Sequence, residues 1–418
     1  MTTPPDGFSH LWLPYTQMHT APPPPVAVRT QGCRIQLDDG RWLVDGVASW
    51  WTACHGYNHP AIAAAVRAQL DAMPHVMFGG LAHAPAMRLA SRLVELLGGD
   101  LSRVFFAESG SIAVEVAMKI AVQSWINRGI TRRTKILCFE GGYHGDSFAT
   151  MAISDPRGGM HRRFSHLLAD QPRAPLPADD ASIAAFERVV AAAAPGLAAI
   201  IVEPLVQGAA GMRFHAPEVL RRIRATADML GVPLIFDEIF TGFGRTGAMF
   251  AAHRAGVMPD IVTLSKALTG GTMALSACVA SAAMFAHFCS DDPADALMHG
   301  PTYMANPLAC AAALASLELF AAHDRLGQAR AIEAALLAGL APCRDLPGVV
   351  DVRALGAIGV VQLERIDDVA ALRAQFVAEG VWIRPIGDVV YLTPALTIDA
   401  AELDMLTGAM GRVLSRRW

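Results

Sequence analysis

From about residue 101 to residue 266, short and uniformly apolar runs alternate with longer stretches that have a helical spacing of apolar residues. Runs without polar alternation are typical of strands in a parallel sheet that is buried on both faces. The repetition predicts an α/β architecture, in which helices flank a mostly parallel sheet. The strand-like runs are SRVFFAE, TKILCFE, AAIIVEP, VPLIFDEI and DIVTLSK, and two of the helical stretches are SIAVEVAMKIAVQSW and APEVLRRIRATADMLG.

The pattern differs on both sides of this region. Towards the N-terminus, CRIQLDDGRWLVDG predicts a hairpin that turns at Asp39-Gly40, and a helix is expected from Pro60 to Met73. After about residue 310, a long alanine-rich helix leads into shorter strands, which indicates a smaller α+β domain. We therefore expect three regions: an arm and hairpin that belong to the small domain (1–58), a large domain (59–300) and a C-terminal small domain (301–418).

Composition excludes several classes of protein. The chain has 418 residues, 53% of them hydrophobic, and a net charge of −4 without a basic region, so a nucleic-acid partner is not expected. No apolar stretch approaches the roughly 20 residues of a membrane helix, and the N-terminus lacks the pattern of a signal peptide. Seven scattered cysteines without a CxxC pair favour reduced, buried thiols and a cytoplasmic protein.

Polar residues occur where five of the strand-like runs end. Ligands of open parallel sheets bind beyond the carboxyl ends of the strands, so we expect these residues to form one site. They are Glu108 to Ser111, Gly141 to Asp146, Glu203, Asp237-Glu238 and Lys266.

Asp237 and Lys266 predict the chemistry of that site. A buried carboxylate costs free energy unless it is paired, and one suitable partner is the protonated ring nitrogen of pyridoxal phosphate (PLP). Desolvation of a lysine lowers its pKa and makes it an amine nucleophile. Considered singly, Asp237 could be a helix cap or part of a buried ion pair, and Lys266 could be a surface lysine. Their positions at the ends of consecutive strands favour a cofactor ring held between them.

Three further residues are candidates for cofactor binding. Gly110 and Ser111 would place backbone N–H groups and a hydroxyl at a helix N-terminus, which suits a phosphate, although a simple helix cap explains them equally well. Tyr143, in GGYHGD, could stack on a cofactor ring or lie in a surface turn.

Two motifs are weighed and disfavoured. His55 and His59 have a spacing suitable for a metal, but no acidic or cysteine ligand has matching spacing, so no metal is expected. The run from Gly242 to Gly247 fits GxGxxG, the motif of dinucleotide-binding dehydrogenases. However, too few residues follow it for a crossover helix, and the preceding acidic pair would repel a pyrophosphate.

DEIFTGFGRTG followed by SKALTGG resembles the class III PLP-dependent aminotransferases of fold type I. Further segments between about residues 10 and 410, among them SWW, HGPT and WIRPIG, resemble family members of biotin biosynthesis that transfer an amino group from S-adenosyl-L-methionine to 8-amino-7-oxononanoate. The resemblance implies a homodimer and ping-pong kinetics through pyridoxamine phosphate. A class III ω-amino acid or diamine transaminase is the alternative, and lysine is an alternative donor. A non-catalytic protein on the same fold is disfavoured because Lys266 and Asp237 are both present.

The resemblance also implies roles for the candidate residues. Lys266 would bind the cofactor as a Schiff base and move a proton, and Asp237 would pair with the ring nitrogen. Tyr143 would stack on the ring and assist catalysis, and Gly110 and Ser111 would hold the phosphate. Pro301 and Thr302 would complete the phosphate site from the other subunit.

A substrate pocket is implied as well. Tyr15, Trp50, Trp51, Gly300 and Arg384 would shape it, together with Tyr143 and Lys266. A guanidinium can bind the substrate carboxylate through two hydrogen bonds. The adjacent tryptophans are expected on a strand, facing opposite sides. Glu108 departs from the family pattern, in which an aspartate is expected.

Overall fold

A seven-stranded sheet forms the centre of the computed structural model, which describes residues 7–158 and 161–416. The five predicted strands are confirmed, and the sheet is mostly parallel. Ser276–Ser281 was not predicted; it is fully buried and antiparallel to both neighbours. Its small residues have little intrinsic strand preference. In spatial order the strands are Leu101–Ala107, Ser276–Ser281, Ile261–Leu264, Leu234–Asp237, Leu197–Val202, Lys135–Phe139 and Arg173–Ala174.

Helices flank this sheet, and both of the predicted crossover helices are confirmed. Gly110–Ile126 begins after Ser109, whose hydroxyl accepts the backbone N–H of Ile112. Pro217–Leu230 begins with proline and ends at Gly231, which adopts a left-handed conformation with φ of 61°. Other helices of the region are Pro60–Ala72, Ala84–Leu97, Phe148–Ile153, Asp180–Ala193, Ala251–Ala255 and Ala282–Ala286.

The two ends of the chain share a second sheet. The predicted hairpin is present as Arg34–Leu37 and Trp42–Asp45, with Ala27–Gln31 beside it. Val381–Trp382 pairs in parallel with Trp42–Asp45. A small domain that contains both ends of the chain requires such a contact between N-terminal and C-terminal strands. The boundaries of the domains stay a prediction. A three-stranded sheet and four helices complete this region: Val349–Ala354, Gly359–Leu363, Val389–Leu392, Pro307–Ala322, Arg325–Leu340, Val369–Ala378 and Ala400–Ser415.

Six of the seven cysteines are buried, but Cys289 is exposed, so the prediction of a buried thiol is wrong for Cys289. It follows the short helix Ala282–Ala286, where the chain leaves the sheet. In the described part of the chain, no helix has the length and apolarity that a membrane crossing needs.

Candidate active site

The carboxyl ends of the parallel strands meet at a cavity of about 640 Å³, a volume that includes its open mouth. Each strand end contributes polar groups to this cavity, as the sequence pattern predicts. Among its lining residues are Gly110, Ser111, Tyr143, Glu203, Asp237 and Lys266.

Asp237 lies at the bottom of the cavity and is 4% exposed. Its Oδ2 atom is 2.7 Å from His144 Nδ1. Its Oδ1 atom accepts hydrogen bonds of 3.2 Å from the backbone N–H of Ile239 and from the Thr263 hydroxyl. These contacts compensate for burial of the carboxylate and fix its orientation.

Two more buried carboxylates flank Asp237. Glu238 accepts the first two backbone N–H groups of the helix Ala251–Ala255, so the capping role that Asp237 could have had belongs to Glu238. Glu203 accepts the backbone N–H groups of Tyr143 and Gly208, each at 3.0 Å, and thereby joins two loops of the cavity. Burial raises the pKa of both glutamates to about 7.

Lys266 projects its amine into the cavity between two aromatic rings. Nζ is 4.2 Å from the centre of the Trp51 ring and 5.9 Å from that of Phe240. Burial lowers the pKa of Lys266 to about 8, although the nearby carboxylates oppose this shift. Lys266 is therefore not a surface lysine, and a useful fraction of the amine is neutral near physiological pH. Phe240 was not predicted from the sequence as a neighbour of this amine.

The part of the cavity lined by Gly110 and Ser111 has the features of a phosphate site. The helix Gly110–Ile126 starts there, and a Cβ atom at Gly110 would lie 3.0 Å from Ile239. At Gly145, which has φ of 130°, a Cβ atom would collide with the Ser111 hydroxyl. Close backbone approach and N–H groups at a helix N-terminus suit an anion. Together with a buried carboxylate and a buried amine, these donors fit the phosphate, ring nitrogen and aldehyde of PLP.

Asp146 links Tyr143 to the N-terminal arm. The Tyr15 hydroxyl donates to Asp146 Oδ2 at 2.5 Å, and the Tyr143 hydroxyl donates to Oδ1 at 3.1 Å. His161 Nε2 lies 3.0 Å from Oδ1, and its hydrogen bond is the largest cause that holds the pKa of Asp146 below its usual range. His161 also stacks on Tyr143, with 5.8 Å between ring centres. Sequence reasoning missed His161, which has no distinctive motif around it.

The expectation that Trp50 and Trp51 lie on a strand is wrong. Ala48–Trp51 forms one left-handed helical turn with φ values of 45°, 49°, 59° and 72°. Hydrogen bonds across the turn connect Trp51 N–H to the Val47 carbonyl and Thr52 N–H to that of Ala48. Left-handed geometry costs roughly 1–2 kcal/mol per residue for side chains other than glycine. The strained turn lies beside the cavity, because its last residue, Trp51, lines the cavity.

The turn nevertheless directs the two indoles to different places. Trp51 is buried against Lys266, whereas Trp50 is 37% exposed and does not line the cavity. Arg384 Cζ lies 4.3 Å from the centre of the Trp50 ring, and Tyr15 packs edge-on against the same ring at 6.2 Å. Burial lowers the pKa of Arg384, and within the described residues no carboxylate forms an ion pair with it.

Gly300, Pro301 and Thr302 do not line the cavity of their own chain. They lie in the segment before the helix Pro307–Ala322, where Gly300 and Thr302 are exposed. They are thus separate from the sequence-predicted residues that line the cavity, and Tyr15, Trp50 and Arg384 also lie outside its lining.

The disfavoured motifs have ordinary structural environments. His55 Nε2 contacts the Ser316 backbone oxygen at 3.0 Å, and the described residues contain no cluster suited to a metal. The run from Gly242 to Gly247 forms a series of buried turns, and the helix after it, Ala251–Ala255, has only five residues. A crossover helix for a dinucleotide is therefore absent from this part of the chain.

Known proteins of one family are similar to this chain over nearly its whole length. The family model for aminotransferase class III matches residues 15–414. An adenosylmethionine-8-amino-7-oxononanoate aminotransferase of Mycobacterium leprae is 46% identical over 97% of this chain and 95% of its own length. One from Corynebacterium glutamicum is 43% identical over 88% of each chain.

Solved structures show the same fold. The crystal structure of an adenosylmethionine-8-amino-7-oxononanoate aminotransferase from Methanocaldococcus jannaschii has a TM-score of 0.93 at 29% identity, covering 98% of this chain and 97% of that one. A PLP-bound amine transaminase from an uncultivated Pseudomonas species has a TM-score of 0.90 at 32% identity, covering 97% and 98%. An omega transaminase from Pseudomonas jessenii with PMP has a TM-score of 0.93 at 26% identity, covering 100% and 98%.

The family match over nearly the whole chain, the full-length relatives and the fold of the structural neighbours lead to one assignment. This chain belongs to the class III aminotransferases and is a PLP-dependent aminotransferase of fold type I.

Proposed function

We propose that the chain transfers an amino group from S-adenosyl-L-methionine to 8-amino-7-oxononanoate, which yields 7,8-diaminononanoate for biotin biosynthesis. The relatives above carry the name of this activity. The observation that carries the proposal is the Arg384 guanidinium, which lies over the Trp50 ring next to Trp51 in the chain and forms no ion pair with a carboxylate of the described residues. A cation beside apolar walls suits a carboxylate on a long aliphatic chain.

Different residues of the cavity suit the phosphate, the ring and the ring nitrogen of PLP. When bound, PLP supplies an electrophilic carbon for the amino group and a ring that withdraws electrons. Gly110 and Ser111 would hold its phosphate, and Tyr143 would pack on its ring. Asp237 would hold a proton on the ring nitrogen, while His144 holds the Asp237 carboxylate in place.

Lys266 is the proton carrier of the reaction. Its neutral Nζ would hold the cofactor at its electrophilic carbon and would take the proton from the amine-bearing carbon of the donor. In the second half of the reaction it returns a proton to the former carbonyl carbon of the acceptor. Trp51 and Phe240 keep water away from this amine, which sustains its lowered pKa.

The outer pocket binds the substrates. Arg384 pairs with the carboxylate of the oxo acid, and Trp50 and Trp51 contact its aliphatic chain. Tyr15 and Tyr143, held by Asp146, offer hydroxyls to the polar end of the substrate. Gly300 contributes a backbone surface from the partner subunit.

A second copy of the chain completes each site. Pro301 and Thr302 do not line the cavity of their own chain, so we infer that they cover the phosphate of the partner in a cytoplasmic homodimer.

The main alternative is an ω-amino acid or diamine transaminase, and the structural similarity to the omega transaminase of Pseudomonas jessenii favours this alternative. Measuring which amino donor reacts separates the two functions. PLP-loaded protein is mixed with S-adenosyl-L-methionine, lysine or an ω-amine, and the visible absorbance of the cofactor is followed. We expect S-adenosyl-L-methionine to abolish the absorbance and 8-amino-7-oxononanoate to restore it, with 7,8-diaminononanoate detected by mass spectrometry. A response to ω-amines alone would favour the alternative.

Arg384→Ala should weaken use of 8-amino-7-oxononanoate by roughly ten- to a hundred-fold. A hydrogen-bonded charge pair contributes about 1.5–3 kcal/mol, and each 1.4 kcal/mol is about a factor of ten. The measurement is kcat/KM of each half-reaction, and the donor half-reaction of the same variant is the internal control. Damage confined to the donor half would reverse the assignment of Arg384.

Tyr15→Phe should act differently, because it keeps the aromatic contact with Trp50 and removes only the bond to Asp146. We expect a lower kcat/KM for the oxo acid with little change in protein stability, measured by half-reaction kinetics and thermal melting. Unchanged kinetics would show that the hydroxyl serves only to fasten the N-terminal arm.

Mixed dimers should regain activity that neither parent has. Lys266→Ala and Thr302→Ala chains each damage a different part of the shared site, so one site of a hybrid dimer has both groups intact. The chains carry different affinity tags, and doubly purified hybrids are assayed beside each parent dimer. Isolated hybrids without any recovery would indicate self-contained sites.

A further inference from the structure

We propose that Asp45 is a positioning residue for the substrate pocket: its buried carboxylate holds the left-handed turn Ala48–Trp51, and thereby fixes Trp51 at the cavity and Trp50 against Arg384. The inference rests on the proposed function and adds to it a residue that lines no part of the cavity.

The Asp45 carboxylate contacts the backbone on both sides of the start of the turn. Asp45 is 1% exposed, and its Oδ1 atom accepts the backbone N–H of Val47 at 2.8 Å. Its Oδ2 atom accepts the backbone N–H of Ser49 at 2.8 Å. One rigid carboxylate therefore fixes the residue before the turn relative to the second residue within it.

Tyr57 reinforces this contact from a separate part of the chain. Its hydroxyl donates to Asp45 Oδ2 at 2.5 Å and lies 2.8 Å from the Ser49 hydroxyl. Because a phenol has one proton, Tyr57 donates to the carboxylate and the Ser49 hydroxyl can donate to Tyr57. Among the described residues no cation forms an ion pair with Asp45, so these hydrogen bonds are what compensates for its burial.

The turn needs such support because its own residues do not favour it. Glycine and asparagine adopt positive φ at low cost, but none of the residues from Ala48 to Trp51 is of that kind. Without the contacts of Asp45, the backbone would gain by returning towards right-handed or extended geometry. Both indoles would then move away from Lys266 and Arg384, although neither tryptophan touches Asp45 through a hydrogen bond.

The test is the kinetics of Asp45→Asn in the PLP-loaded dimer. Asparagine keeps the shape but replaces one accepting oxygen with an NH₂ group, so a bond to Ser49 and Tyr57, or to Val47, is lost. We expect KM for 8-amino-7-oxononanoate to rise about tenfold, with kcat within about threefold of the wild-type value. Tyr57→Phe, which leaves the carboxylate in place, should raise KM by about threefold.

Asp260→Asn is the matched control. Asp260 accepts the backbone N–H of Leu234 at 2.8 Å and pairs with Arg224 at 2.7 Å, at the end of the sheet opposite the cavity. This variant should lower the melting temperature without changing KM. A rise in KM equal to that of Asp45→Asn would mean that general loss of stability explains both, and would overturn the proposal.

Ala48→Gly provides a rescue that a general structural role would not show. Glycine at this position accepts the φ of 45° without steric cost, so the turn depends less on Asp45. In the Asp45→Asn background, Ala48→Gly should lower KM most of the way back to the wild-type value. If the Asp45 variant does not fold, Ala48→Gly should lower the raised KM of Tyr57→Phe in the same way. A wild-type KM in Asp45→Asn, or a complete absence of rescue, would overturn the proposal. If the wild-type protein uses a different acceptor, the proposed substrate fails, but the same KM comparison with that acceptor still tests Asp45.

Discussion

Lys266→Ala is expected to abolish transamination, by about 10⁴-fold or more, while the fold survives. General acid–base catalysis contributes about 10²–10⁴-fold, and in the proposed function this residue would also form the covalent bond to the cofactor. Alanine adds space to an existing cavity and exposes no new surface, so the far-ultraviolet circular dichroism should match the wild type. The variant should still bind PLP through the phosphate end. Single-turnover assays with S-adenosyl-L-methionine provide the measurement.

Covalent labelling identifies the lysine independently of activity. Borohydride reduction of the PLP-loaded protein should fix the cofactor to Lys266, and peptide mapping is simple because the chain has only three lysines. Lys135→Ala is the control, since Lys135 lies at the start of its strand, remote from the cavity, and contacts Asp170. It should be labelled and active like the wild type. A tag on Lys119 or Lys135 would contradict the assignment.

The lowered pKa of Lys266 gives this reaction a pH dependence with a definite sign. Only the neutral amine attacks the cofactor, and with a pKa of about 8 roughly a tenth is neutral at pH 7. Capture of PLP by the apoprotein should therefore accelerate as pH rises through 8 and then level off. The rate of appearance of the visible absorbance measures it. A rise that continues to pH 10 would show that burial does not lower this pKa.

Five strands of the central sheet were predictable from the sequence because they are buried on both faces. Uniform apolar runs such as VPLIFDEI mark such strands, and the polar residue at the end of each run marks the edge where ligands bind. The antiparallel strand Ser276–Ser281 was missed because its alanines and serines gain their place from packing between two neighbours rather than from their own preference.

The outer pocket was less predictable because it depends on contacts between distant residues. The Tyr15 hydroxyl donates to Asp146, which lies 131 residues later in the sequence, and a local sequence pattern does not predict such a contact. The left-handed geometry at Trp50 and Trp51 contradicts the preference of every residue in the turn, so local reasoning placed them on a strand. Thr302 does not line the cavity of its own chain, so the structure of one chain does not place it in the site.

Asp237→Asn should reduce kcat by about 10²–10⁴-fold, well beyond its effect on PLP affinity. Asparagine has the shape of aspartate and can still contact His144 and Thr263, so the fold and the cavity should persist. As a neutral amide, however, it does not hold a proton on the ring nitrogen, and the ring then withdraws electrons less strongly when Lys266 removes the donor proton. Half-reaction rates and PLP titration, measured on the same preparation, separate catalysis from binding.

Glu238→Gln is the matched control for Asp237→Asn, because it neutralises the adjacent buried carboxylate. Glu238 caps the helix Ala251–Ala255 and does not line the cavity. Its replacement should lower the melting temperature, since the helix loses part of its cap, and leave the half-reaction rates close to wild type. If both variants lose activity equally, negative charge in this part of the core acts generally and Asp237 has no special contact with the cofactor. If Asp237→Asn keeps near-normal turnover, Asp237 has a structural role only. The PLP ring then withdraws electrons without help from this carboxylate.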